Sequence, residues 1–470
     1  MENEIKLGRI AGPFRKKPIS NLRCSPIGIV PKKSGGFRLI THLSYPPQNS
    51  VNDFIDEKFT KVHYSSFDNA VSIVKKLGKG ALIGKKDIKS AFRLLPCYPG
   101  DFDLLGFKIG DEYYIDKCLP MGCSISCLTF ERFSTFIHWL VSSESKSNDL
   151  DHYLDDFFFA GKANSSNCFE LMTHFDNICH RIGVPIAEEK TVGPVTCMEY
   201  LGLTIDTEQL LIRIPDDKLK ELIEKITLVA FSKKVTLKQL QSLCGILAFC
   251  TKALPAGRAF SKRLYMATSK ATKPHHFIRV SKEMFEDLMV WKLFLEQFNG
   301  VSYILDDIWL SNYDLQLFTD SAGGADKGCG VYFMGKWTFL LWPVEWFDSE
   351  ILKDITYLEI IPIALAIYLW NSYFHKKKIL FNIDNMAVVS IINSKTAKSE
   401  RVLKLLRFIV YWTLVGNFHV KAIYIETSKN IYADALSRGQ FQKFKRLAPH
   451  ADSSPTKVPL EFLNLLKEIL

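Results

Sequence analysis

The sequence has no CxxC pair and no ladder of Cys and His at metal-ligand spacing, although 11 cysteines are spread along it. A disulfide framework and a structural zinc are therefore not expected. Free thiols fit a reducing, intracellular compartment; cytoplasm and nucleus are not distinguished. The opening stretch "MENEIKLGRI" lacks an apolar core, so no secretory leader is expected. No apolar run reaches the roughly 20 residues that a membrane-spanning helix needs. The longest, "IIPIALAIYLW" (360–370), is short and contains Pro362, so no membrane partner is expected. Internal repeats and low-complexity tracts are also missing, which excludes solenoids and disordered tails as the main architecture.

What is present is a globular chain of 470 residues, 47% hydrophobic and 23% charged, long enough for several domains. Its net charge of +10 makes nucleic acid a reasonable partner. The 34 Phe and 17 Tyr suit either a large core or surfaces that stack on bases. Residues 1–60 read as loops and short strands, with a Gly-Gly turn in "PKKSGGFRLI". A strand then ends at Asp87. Residues 124–141 have helical spacing, 149–163 form a hairpin, 168–183 form a helix ending at Gly183, and 198–206 return as a strand. That order is a split βαβ pattern. Residues 207–300 carry amphipathic helices, and 299–314 read as a linker. From Leu315 a second α/β pattern begins, and 439–470 read as a tail with a short amphipathic end.

"DHYLDDFFFAGKA" (151–163) sets Asp155 beside Asp156 between apolar flanks. Buried carboxylates without a partner cost several kcal/mol or more. A bare Asp-Asp pair is most often a solvated turn, but here the split βαβ pattern brings Asp87 to the same strand ends. Three clustered acids repel unless cations lie between them, and hard oxygen ligands suit Mg²⁺. A second set follows: Asp320 at a strand end, Glu359 in an apolar helix, Asp384 at a strand end and Asp434 near a helix start. A helix cap is the bland explanation of Asp434. Glu359 has apolar neighbours and is harder to explain that way.

The blocks "DIKSAF", "LPMGCSISCLTFERF" and "YLDD", in this order and at these separations, resemble the motifs of reverse transcriptases. "FTDSAGG", "YLEIIPI", "NIDNMAVVSIIN" and "NIYADALSR" resemble ribonuclease H domains. With "GRIAGPF" and "LAPHADSSPTKVP", the whole chain looks like the polymerase–ribonuclease H segment of DIRS-like retrotransposons. The resemblance implies an α+β right-hand polymerase with fingers, split-βαβ palm and helical thumb, followed by an α/β ribonuclease H-like domain. Its implied divisions are 1–206 (fingers and palm), 207–305 (thumb and connection), 306–440 (ribonuclease H-like) and 441–470 (tail).

The resemblance also implies roles. Asp87, Asp155 and Asp156 would hold two Mg²⁺ ions, with Mn²⁺ as a substitute, for attack by a 3′-hydroxyl and loss of pyrophosphate. Phe92 matches the steric gate against a 2′-hydroxyl; a core Phe is the alternative. Arg38 and Lys32 or Lys33 match residues that grip the triphosphate, with a solvated basic loop as the plainer reading, and Met121 and Gly122 match the turn against nucleotide and template. Lys190 matches a proton donor to pyrophosphate; an exposed lysine is the alternative. Asp320, Glu359, Asp384 and Asp434 would hold two further ions for hybrid cleavage. Implied partners are an RNA template, DNA primer and product, RNA–DNA hybrid and dNTPs. A tyrosine recombinase and a Gag-like protein would be encoded separately. Arg15, Lys16, Lys17, Lys233, Lys234 and Arg258 are candidate phosphate contacts, each with a solvated surface charge as the plainer reading.

Two departures stand out. "YIETSKN" (424–430) lacks the histidine or Pro-Gly often found in that loop, with His419 upstream, so cleavage is expected to be slow. His42 stands where the family usually has an acid. The rival reading is a decayed or host-retained element that binds nucleic acid without chemistry.

Overall fold

The computed structural model describes residues 1–31, 36–298, 302–304, 308–347 and 349–468. The chain divides into two compact units, one of Met1–Leu201 with Ile205–Gln209, the other of Gly202–Thr204 with Leu210–Leu470.

In the first unit, a four-stranded sheet runs in the order Leu150–Tyr153, Asp156–Gly161, Leu82–Asp87, Val192–Val195. All its pairings are antiparallel. The run Phe157–Phe158–Phe159 is fully buried because both sheet faces are covered. Side chains alternate along a strand. Phe157 and Phe159 pack on Phe175 of the Asn167–Ile182 helix. Phe158 turns the other way, onto Tyr200. The Ser126–Ser145 helix adds Phe130, Ile137 and Val141 to the Phe157–Phe159 side. A buried side chain of this size contributes about 1.5–3 kcal/mol, so the apolar flanks hold the acidic hairpin rigid.

The fourth strand departs from expectation. Residues 198–206 do not return as one palm strand; they split into Cys197–Tyr200 and Leu203–Asp206. Val192–Val195 takes the edge of the sheet instead. Its "TVGPV" holds Gly and Pro, which weaken a strand signal, and Pro is tolerated at an edge. Ahead of this sheet, Ile27–Pro31 and Phe37–Thr41 form a hairpin, and Ile10–Phe14 joins Gly106–Ile109 and Glu112–Asp116 in a three-stranded sheet.

The second unit begins with helices Asp216–Ala230, Leu237–Cys250, Lys262–Thr268 and Lys282–Phe298. Thr236 and Gln239 close a capping box at the start of the second. A five-stranded sheet follows, ordered Lys336–Leu341, Gly328–Phe333, Phe318–Ser321, Lys378–Ile383, His419–Tyr424. The first three strands are antiparallel and the last two run parallel to Phe318–Ser321. The helix Ile355–Phe374 is long and apolar enough by length and composition to cross a bilayer, yet most of it is buried inside this unit as its core helix. Residues 207–305 and 306–440, expected as separate bodies, pack together: buried Asp287 pairs with Arg407, Arg263 bonds Glu400 at 3.1 Å, and Lys262 donates to the Ala397 carbonyl at 2.9 Å.

Two further expectations are corrected. Part of the presumed linker is structured, since Ser302–Tyr303 pairs with Leu211–Ile212. The presumed tail folds onto the unit: Trp337 donates its indole N–H to the Asp452 carbonyl at 2.7 Å, and Phe444 and Phe462 are buried. Isolated aromatics in a polar stretch carry no periodic signal, which is why the tail read as loose.

Candidate active sites

The hairpin of the first unit closes with Leu154 and Asp155 as its turn, because Tyr153 pairs with Asp156. Leu154 has φ +52°, a left-handed backbone uncommon for Leu. Asp87 is the last residue of its strand and faces Asp156 in register. The Ile88 N–H donates to the Asp155 carbonyl at 3.0 Å, fixing the turn to the end of the neighbouring strand. Three acidic residues from two chain segments thus come to one end of the sheet, although their oxygens are not gathered within 4.8 Å as those of the second cluster below are.

Lys85 and Lys190 relieve their charge only in part. Burial, then the charges of Asp155 and Asp87, push the Asp156 carboxyl up to about 6. Lys190 bonds directly: its Nζ donates to Asp87 Oδ2 at 2.8 Å. Burial opposes the Lys190 charge, but the bond to Asp87 and the field of Asp155 and Asp156 hold the ammonium above its ordinary value. A set of hard oxygen ligands that needs a positive charge fits a divalent cation.

Asp87, Asp155 and Lys190, but not Asp156, line a cavity of about 540 Å³, whose wall also includes Phe92 and Met121. That volume lies within the range of small-molecule sites. Phe92 is both core and wall: its ring meets Phe130 edge-on at 5.1 Å. Gly122 has φ +111°, and a Cβ there would lie 2.4 Å from the Thr41 carbonyl oxygen. Asn52 pins this turn, donating to the Gly122 carbonyl and accepting from the Ser124 N–H, both at 2.9 Å. Arg38 lies on the Phe37–Thr41 strand opposite Val30. Lys32 and Lys33 lie outside the described residues. His42 is exposed, and its backbone N–H bonds the Pro26 carbonyl at 2.7 Å. Arg93 escaped the sequence reading; it lines the cavity with Asp116 and bonds both oxygens of that carboxylate at 2.7 and 2.8 Å.

In the second unit, Asp320, Glu359 and Asp384 offer oxygens within 4.8 Å of one another. Burial comes first in raising the carboxyls of Asp320 and Glu359, and their neighbours' charges add to it. Such a site also fits a divalent cation. Asp434 stands outside this trio and is held by Arg438 at 2.6 Å, though its charge reaches Asp320. Ser437, which no motif singled out, donates to Asp320 Oδ2 at 2.5 Å. His419 does not replace the missing histidine. It pairs with Lys378, at the opposite end of the strand from Ile383 and hence from Asp384; five residues of strand span about 16 Å. Of the candidate phosphate contacts, Lys234 stacks over Phe277 at 4.5 Å and Lys17 donates to the Leu22 carbonyl.

Residues 30–205 match the family model for reverse transcriptase (RNA-dependent DNA polymerase). The match covers the first acidic cluster and stops short of the second. The chain is 24% identical over 280 residues to the Pro-Pol polyprotein of feline foamy virus, covering 60% of this chain and 22% of that polyprotein. It is 22% identical over 460 residues to the Transposon Tf2-3 polyprotein of Schizosaccharomyces pombe, covering 93% of this chain and 30% of the relative. The chain therefore spans less than a third of the length of these curated relatives. Among solved structures it resembles the foamy viral protease-reverse transcriptase dRH in complex with double-stranded DNA, with TM-score 0.51 and 16% identity over 90% of this chain and 68% of that one. The fold is accordingly that of a reverse-transcriptase polymerase with mixed α/β content.

Proposed function

We propose that this chain is the RNA-directed DNA polymerase of a retroelement, coupled to ribonuclease H cleavage of the RNA strand in RNA–DNA hybrids. The observation that carries the reading is the register of Asp87 opposite Asp156 beside the Leu154–Asp155 turn, with Asp87 and Asp155 on the wall of a cavity of about 540 Å³.

Divalent cations, two Mg²⁺ or Mn²⁺ per site, would be held by Asp87, Asp155 and Asp156, where they would activate the attacking oxygen and offset phosphate charge. The chain's own residues do the rest. Phe92 closes the wall where a ribose 2′-hydroxyl would need room. Lys190, already protonated against Asp87, is a proton source for the departing pyrophosphate. The Met121–Gly122 turn offers backbone for close approach to nucleotide and template. Arg38, Lys32 and Lys33 supply charge for the triphosphate. In the second unit Asp320, Glu359 and Asp384, with Asp434, would bind the ions for hybrid cleavage, and the loop without a histidine makes that cleavage slow. RNA template, DNA primer and dNTPs are the partners; the foamy viral structure with this fold holds double-stranded DNA, which supports a nucleic-acid partner here.

The sequence blocks at both ends point further, to a DIRS-like element with separately encoded tyrosine recombinase and Gag-like protein, acting inside the cell. Primer extension on an RNA template with dNTPs and Mg²⁺, comparing wild type with Asp155→Asn, tests the central reading. Incorporation that survives the substitution ends it.

A further inference from the structure

Beneath the acidic turn lies a chain of buried polar groups that the proposed chemistry does not use. Glu131 sits on the Ser126–Ser145 helix and is 7% exposed. Its Oε2 accepts the Leu154 N–H at 3.2 Å. Its Oε1 lies 3.2 Å from His152 Nε2 in a bent approach. On the far side of that ring, His152 Nδ1 meets His138 Nδ1 at 2.8 Å. His138 lies seven residues after Glu131, two turns along the same helix face.

The donors and acceptors can be counted. A neutral imidazole has one donor and one acceptor nitrogen, and a carboxylate only accepts. The two Nδ1 atoms share one hydrogen, and His152 Nε2 is the ring nitrogen that faces Glu131. Burial, then the neighbouring His152, push His138 down to about 4, which keeps that ring neutral near pH 7. Asp151 lies within ligand distance of both rings, but its Oδ2 already accepts the Ser65 hydroxyl at 2.5 Å. His152 Nε2 lies beside Glu131 Oε1 without a formed hydrogen bond, so the bond that fixes Glu131 to the turn is the one from the Leu154 N–H.

We propose that Glu131 is a positioning residue for the acidic turn: it clamps the Leu154 N–H, with the His152–His138 pair beside its carboxylate. The left-handed Leu154 backbone is uncommon for a β-carbon-bearing residue and persists only where its surroundings over-determine it. Two outside bonds do so, Ile88 N–H to the Asp155 carbonyl on one side and Leu154 N–H to Glu131 on the other. The inference rests on the polymerase reading for its catalytic consequence, not for the clamp itself.

The test is single-nucleotide incorporation on an RNA template with a DNA primer and Mg²⁺, run before steady state for wild type, Glu131→Leu and Glu131→Gln. Amide hydrogen exchange over 150–156 is followed in parallel. Glu131→Leu is expected to slow the incorporation step on the order of 10²-fold, as a misplacement of about 1 Å can. The burst amplitude and the dNTP dependence stay within about twofold of wild type, and exchange over 150–156 accelerates. Glu131→Gln recovers part of the rate, because its carbonyl still accepts from Leu154. Wild-type rates and exchange in Glu131→Leu would overturn the proposal. So would a loss confined to burst amplitude, which marks a folding defect, or Zn²⁺ held stoichiometrically by the two histidines through EDTA dialysis. If wild type incorporates nothing, the polymerase reading fails, while the exchange arm still decides the clamp.

Discussion

Asp87 and Asp156 face each other across an antiparallel strand pair, two acids in a position where opposite charges would be stabilising. Like charges directly opposite cost roughly 0.2–1 kcal/mol. The proposed metal site accounts for an arrangement that stability alone opposes. Asp156→Asn should therefore unfold at higher urea than wild type in EDTA, by up to about 1 kcal/mol. The same variant should lose at least about 10²-fold in primer extension. A variant less stable than wild type without metal would remove the repulsion argument.

Phe92 divides its surface between the cavity and Phe130. Phe92→Val should admit ribonucleotides, raising the rNTP-to-dNTP incorporation ratio roughly 10-fold or more, since a pocket discriminates by the volume it denies. It should also lower stability by about 1–3 kcal/mol through lost packing. An unchanged ratio measured by gel extension with each nucleotide set would return Phe92 to the core.

How much of this was legible in the chain can be argued from particular residues. Asp87, Asp155 and Asp156 were legible because the ordered blocks around them resemble those of reverse transcriptases; the Asp155–Asp156 pair alone reads as a solvated turn. The helix Asn167–Ile182 was legible from its period and from Gly183, which adopts φ +74° at its end. Val192–Val195 was not, because an edge strand with Gly and Pro has neither alternation nor propensity. Glu131 and Ser437 were not, because each works through one partner far away in sequence, at Leu154 and Asp320. A lone acid or hydroxyl on a helix has no local signature of such a bond. The helix Met386–Ser394 was passed over as part of a motif, although Asn385 caps it by accepting the Ala387 and Val388 N–H groups.

Gly122 is held by sterics on both counts, a positive φ and the carbonyl of Thr41. Gly122→Ala should cost roughly 1–3 kcal/mol locally and shift the Met121 wall of the cavity. The expected readout is a raised dNTP KM, with hybrid cleavage unchanged. Equal damage to both activities would show that the substitution unfolds the chain rather than the turn.

The second cluster should behave independently of the first. Asp384→Asn is expected to abolish cleavage of a labelled RNA–DNA hybrid and leave primer extension within about twofold of wild type, since it neutralises a carboxylate of the second proposed site only. Ser437→Ala deletes one hydrogen bond to a carboxylate, worth about 1.5–3 kcal/mol, and should weaken cleavage without abolishing it. Loss of both activities in folded Asp384→Asn would contradict separate sites.

His419 gives a pH test that involves neither cluster. It borders a small cavity of about 40 Å³ together with Lys395. Burial, then the charges of Lys395 and Lys378, push the imidazole down to about 4. An unfolded histidine titrates near 6.5. Between pH 6.5 and 4 the unfolded chain therefore binds a proton that the folded chain refuses. Stability must fall as pH falls through that window, by up to about 1.4 kcal/mol per pH unit from this group. Above pH 6.5 the group has no such effect, because it is neutral in both states. His419→Leu should flatten the dependence by about one proton while leaving Lys395 in place. The check is urea denaturation of both proteins at steps from pH 7 to 4, comparing slopes and not absolute stabilities, because the carboxylates common to both cancel in the difference. Parallel slopes would mean that His419 already takes up its proton in the folded state.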